Sequence, residues 1–160
     1  MKLNRALTAA AYLVALTLII LPLVEVTMSV WPLRFGETAW RYGTFGLLSQ
    51  AATTPIVGAI MLFATAYALG HRRTLLFSGI MAAVVALALL IGLPVFALDA
   101  VQMRTQVRAQ TMRAFDLSSV LATIKLSILF AVFLLLAVGS IKATRGRRPE
   151  RVREEPLIRT

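Results

Sequence analysis

The chain has no cysteine and a single histidine, His71. Without cysteine there is no disulfide, no thiolate nucleophile, no iron–sulfur ligation and no thiol–disulfide exchange. One histidine cannot supply a bis-histidine haem site, and His71 stands beside Arg72 and Arg73 with no acid at ligand spacing, so no zinc or di-metal centre is expected. A serine nucleophile would find no second histidine as its base. No glycine-rich loop of the Walker type is present to cradle a phosphate. Acidic residues are scarce, seven against 17 Lys and Arg, and none forms a pair inside an apolar run. The sequence therefore carries no expectation of an enzyme, a cofactor or a metal.

What is abundant is apolar sequence. Hydrophobic residues make up 59% of the 160 positions and the mean hydropathy is +0.81, too apolar for an ordinary soluble domain. They gather in four runs, at about 6–24, 44–69, 74–98 and 117–141. A bilayer hydrocarbon core of roughly 30 Å needs about 20 helical residues to cross, and each run supplies a span. The expected fold is an all-α membrane protein with four transmembrane helices in one domain, 1–141, followed by a basic tail, 142–160. The first run follows Lys2 and Arg5 as a signal peptide would, but it is longer than a usual h-region and no Ala-x-Ala site follows, so it reads as a retained span.

A formal net charge of +10 raises the question of nucleic acid, but the basic residues sit where membrane topology puts them, and no nucleic-acid partner is expected. Lys2, Arg5, Arg72, Arg73, Lys142, Arg145, Arg147, Arg148, Arg151, Arg153 and Arg159 fall on one side of the four runs. Only Arg34, Arg41, Arg104, Arg108 and Arg113 fall on the other, so the positive-inside rule places both termini in the cytoplasm of a bacterial inner membrane. The short connection near Gly70 makes the second and third spans antiparallel neighbours in an up-down-up-down bundle. Arg72, Arg73, Lys142, Arg145, Arg147 and Arg148 are the expected contacts for anionic lipid headgroups, each contributing about 1 kcal/mol. The tail, with Pro149 and Pro156 and little apolar content, should not fold alone.

The two outer connections differ. Residues 25–41 carry Trp31, Pro32, Phe35 and Trp40, which read as an aromatic collar at the headgroup level, or as a docking surface for a partner. Residues 99–116 lack Pro and Gly and interleave Arg104, Arg108 and Arg113 with Gln and Ala, which predicts that the third span continues as a polar helix with Arg104 and Arg108 on one face. Leu21-Pro22 and Leu93-Pro94 recur at the same depth, and Arg41 follows Pro22 as Arg113 follows Pro94. The fold could thus descend from a duplicated hairpin, with Arg41 and Arg113 as equivalent residues at the outer interface.

Lys125 is the odd charge, roughly 12 Å into the fourth run by helix rise. A lysine there either snorkels to the headgroups or marks a site. Gln50, Thr53 and Thr54 reach similar depth, Pro55 frees the carbonyl of Ala51, and Glu25 and Asp99 stand at the outer ends of their spans. The expected intramembrane polar cluster is therefore Lys125, Glu25, Asp99, Gln50, Thr53 and Thr54. Small residues four apart, such as Thr54 and Gly58, Ser78 and Ala82, or Ser127 and Ala131, should mark close helix contacts. The expected role is a non-enzymatic structural or interaction subunit, partnered by lipids and by other membrane subunits or its own copies. The alternative is a small transporter or channel-like oligomer working through the cluster around Lys125.

Overall fold

A computed structural model of the chain describes residues 5–146, and every regular element in that range is a helix. They are α1 (Arg5–Ser29), α2 (Thr38–Ala51), α3 (Thr53–Ala68), α4 (Arg72–Arg104) and α5 (Met112–Gly146). The helices α1, α4 and α5 are each long and apolar enough to cross a membrane, and α2 with α3, bent by 53°, would make a fourth span if counted as one. Leu13, Ile20, Leu87 and Leu135 are among many large apolar side chains left exposed on their outer faces, at 67%, 54%, 59% and 71%. A surface of that kind is at home in hydrocarbon and not in water, and the backbone of a helix satisfies itself there. These are the features of an integral membrane protein.

The bend has a local cause. Pro55 lies in the first turn of α3, where its ring cannot donate to Ala51 and clashes with that carbonyl, and regular bonding resumes with Ile56 donating to Ala52 at 3.2 Å. The other helix-interior prolines, Pro22 and Pro94, leave α1 and α4 unbroken. Between α3 and α4 the chain reverses through Gly70, whose φ of 69° is left-handed. His71 donates to the Ala66 carbonyl and Gly70 to that of Tyr67, the paired bonds of a Schellman cap. The reversal leaves α3 and α4 antiparallel.

Helix pairing is uneven. Along α4, Leu75, Gly79, Ala82, Ala86, Leu89, Gly92 and Phe96 are buried at steps of three and four, and Ala122, Leu126, Leu129, Ala137, Ser140 and Thr144 answer them on α5. That spacing is the seam of a coiled-coil-like pair, and Gly79 sits so near α5 that a Cβ there would stand 2.6 Å from the Ser140 Cβ. Helix α1 packs instead on α3, where Gly58 lies against the Ala15 carbonyl and Ile19, each 2.8 Å from where a Cβ would stand. Among the described residues no Cα of α1 comes within 8 Å of α4 or α5, although the Tyr12 side chain reaches Thr74 at the start of α4. The broken α2–α3 segment joins the two pairs, with Ala52, Leu89, Phe96, Ala122, Leu126 and Leu129 forming the shared core.

Several expectations are corrected. Helix α4 stops at Arg104 and a turn follows, so Arg104 and Arg108 do not share a helix face. Helix α5 begins at Met112 and runs to Gly146, so Lys142 and Arg145 belong to a helix and not to a tail. Arg147, Arg148 and the remaining tail lie outside the described residues. The two hairpins differ locally, because the first returning segment is broken at Ala52 and the second is one uninterrupted helix. Of the small-residue pairs, Ser127 and Ala131 face outward, whereas Gly58 and Ala82 do lie at contacts.

Candidate functional site

Two features stand out, a polar clamp at the end of the bundle that carries Asp99 and an apolar cavity around the middle of the bundle. The clamp begins with Asp99, whose side chain is 3% exposed although it lies near the end of an apolar helix. Its charge is met by Arg41 from the first turn of α2: Nε donates to Oδ2 at 2.9 Å and Nη2 to Oδ1 at 2.7 Å. This two-pronged geometry is the strongest form of a carboxylate–guanidinium pair. Two further Arg41 donors are used, Nη1 on the Phe35 carbonyl at 2.8 Å and Nη2 on the Thr38 hydroxyl at 3.5 Å. Thr38 in turn donates to Gln102 Oε1 at 3.3 Å. One guanidinium thus fastens the first connection, α2 and α4 together.

Aromatic rings back the clamp. Tyr42, next to Arg41, stacks on Phe96 at 5.3 Å and on Phe115 at 5.2 Å, and its hydroxyl shares a 2.6 Å hydrogen bond with Ser119. Helix α5 is held in the same cluster. From the first turn of α2 the Trp40 indole reaches back to donate to the Val30 carbonyl at 2.8 Å and meets Phe35 edge-on, while Trp31 is 69% exposed. Across the second connection Arg104 pairs with Asp116 at 2.9 Å. Arg113 is exposed and has no ion pair among the described residues, unlike Arg41.

The six residues expected to cluster are not brought together. Asp99 is buried and committed to Arg41, whereas Glu25, Gln50, Thr53, Thr54 and Lys125 are each exposed. Lys125 makes no hydrogen bond or ion pair among the described residues and does not reach the Ala51 carbonyl. Three residues after Ala122 and four before Leu129, both buried in the seam, it stands exposed on the flank of α5 beside that seam. Arg72, Arg73 and Lys142 are exposed at the His71 end, as headgroup contacts must be. No family model, curated protein or solved structure matches this chain.

The cavity measures about 490 Å3 and is lined from α1, α2, α3, α4 and α5 together, by Ile19, Phe45, Pro55, Phe63, Val85 and Phe133 among others. Nearby, the Tyr12 hydroxyl meets His71 Nδ1 at 2.8 Å, tying the start of α1 to the turn that ends α3. What sequence reasoning missed was the pairing of Arg41 with Asp99, although each residue separately draws attention. The available signal was an acid and a base at the same end of adjacent antiparallel spans.

Proposed function

We propose that this chain is a non-enzymatic structural or interaction subunit of a bacterial inner membrane, crossing it four times with both termini in the cytoplasm. The observation that carries the reading is the use made of the buried charge. Asp99 is held by two hydrogen bonds, and two further donors of Arg41 go to the Phe35 carbonyl and to Thr38. Such a group locks helices together; a proton or ion relay needs a charge free to exchange partners. Support for the orientation comes from the distribution of Lys and Arg about the spans. The surfaces left for partners are the exposed helix faces, with Lys125 among them, and the exposed ring of Trp31.

The test is purification of the tagged full chain in mild detergent, followed by cross-linking in intact membranes. A fixed companion protein or a defined homo-oligomer is the expected result. A protein that instead changes solute flux across liposomes, and loses that effect in Lys125→Met, is a transporter or channel and overturns the subunit reading.

A further inference from the structure

The clamp closes the packing at the Asp99 end and Tyr12 ties α1 to His71 at the other, while between them the bundle is open sideways. The backbone of α1 stays more than 8 Å from those of α4 and α5, Cα to Cα, and only at the start of α4 does the Tyr12 side chain bridge the gap to Thr74, so a slot remains beside α4 that holds the cavity of about 490 Å3. Leu16 on α1 and Phe77 and Met81 on α4 line this cavity and are also 46%, 63% and 47% exposed, which places its mouth between those two helices, facing the surrounding hydrocarbon. The walls are apolar except for Ser78 and Ser140, both toward the His71 end. Ser78 spends its hydroxyl on the Leu75 carbonyl at 3.1 Å. Ser140 does not: it is 1% exposed and its Oγ has no hydrogen-bond partner, although Thr144, one turn on, bonds back to Ile141. A buried hydroxyl without a partner is costly, and a cavity beside it offers the place where a partner would sit.

Size and charge identify the occupant. From Ser78 to Leu89, both on the wall, the helix rises roughly 16 Å, about half of a roughly 30 Å hydrocarbon core. An acyl chain of one leaflet spans about that length, and the walls it would meet are apolar except at the Ser140 end. A single flexible hydrocarbon chain is slender enough for the slot. Arg73 is exposed one turn before Phe77, on the same helix face by its i, i+4 spacing, and so stands just beyond the mouth at the end where Ser140 lies. We propose that the cavity holds one acyl chain of an anionic phospholipid, with the Ser140 hydroxyl donating to its ester carbonyl and Arg73 against its phosphate. This rests on the helices crossing the membrane and not on the subunit role.

The experiment uses the full chain in phosphatidylcholine vesicles doped with phosphatidylglycerol carrying a photoactivatable group near the end of one acyl chain. Cross-links are expected to concentrate on wall residues of α1, α3 and α4, such as Ile19, Leu62 and Val85. Ala59→Phe, which fills the cavity from α3, should lower labelling at those sites at least about 10-fold, and Ala88→Phe does the same from α4 if the first variant fails to fold. Ser140→Ala should weaken retention about 2- to 10-fold, the range of one neutral hydrogen bond. Arg73→Gln should cost about 5-fold for phosphatidylglycerol and nothing for the zwitterionic phosphatidylcholine probe. Labelling spread evenly over the outward faces, unchanged labelling in folded Ala59→Phe, a free fatty acid competing as well as the phospholipid, or cross-links to a protein helix in the slot would each overturn the proposal.

Discussion

Asp99 and Arg41 set the stability of one end of the molecule. Removing the guanidinium leaves a carboxylate at 3% exposure with no countercharge, and breaking a buried pair from one side is far costlier than replacing both members. Arg41→Met is therefore expected to lower the Tm by about 5–10 °C in detergent, and Arg41→Met with Asp99→Leu to recover at least half of the loss. A double variant no better than the single would show that the pair itself is not what Arg41 supplies. Arg113→Ala should leave the Tm within about 1 °C, since Arg113 has no such partner, and matched losses at the two arginines would contradict this. Lys125→Met should likewise leave thermal unfolding unchanged or raise it, because an exposed lysine on an apolar helix face has no pairing to lose. Both members of the clamp are conspicuous in the sequence, but their union is not. Lys125 draws the eye because it interrupts an apolar run, whereas the cation that meets Asp99 comes from a connection and is reached only once α2 is known to start at Thr38.

At the level of elements, hydropathy gives the existence of the helices and says little of their ends. Runs of apolar residues mark what lies in hydrocarbon, but α4 passes Leu98 to Arg104 and α5 starts before Leu117 because polar turns of helix cost nothing in water. The break at Ala52 was partly readable, since Pro55 denies Ala51 its donor in any helix. Pro55→Ala should restore that bond and reduce the 53° bend, read as a longer distance between spin labels on α2 and α3. An unchanged distance would mean that packing, not proline, makes the bend. The two glycine contacts test the helix pairs separately. Gly58→Val must push α1 from α3, and Gly79→Val must push α4 from α5, each at a cost of about 1–3 kcal/mol. The first should loosen α1 and leave the α4–α5 seam intact by cross-linking; simultaneous loss of both contacts would argue for a single cooperative bundle.

For the whole molecule, the short turn at Gly70 made α3 and α4 legible as neighbours, but the pairing of α1 with α3 and of α4 with α5 was not legible. In a soluble protein the buried face is the apolar one, but here lipid-facing Leu87 and seam-facing Leu89 belong to one residue type, and burial follows the small residues Gly79, Ala82 and Ala86 instead. Orientation can be checked directly because the native chain has no cysteine to remove. Gly36→Cys, at a position with open space around it, and Gln106→Cys should react with a membrane-impermeant maleimide in intact cells, and His71→Cys only after permeabilisation. The reverse pattern would invert the topology.

The clamp also imposes an order on biogenesis. Arg41 and Asp99 are 58 residues apart in the chain, so at about 5–20 residues per second the ribosome delivers the acid about 3–12 s after the base. In the proposed four-span topology the first hairpin sits in the bilayer during that interval with its guanidinium hydrated, which a position in the first turn of α2 permits. The late arrival of α4 then serves as a latch on an already inserted hairpin, and a chain truncated before Asp99 should leave that hairpin recognisable to membrane quality-control proteases.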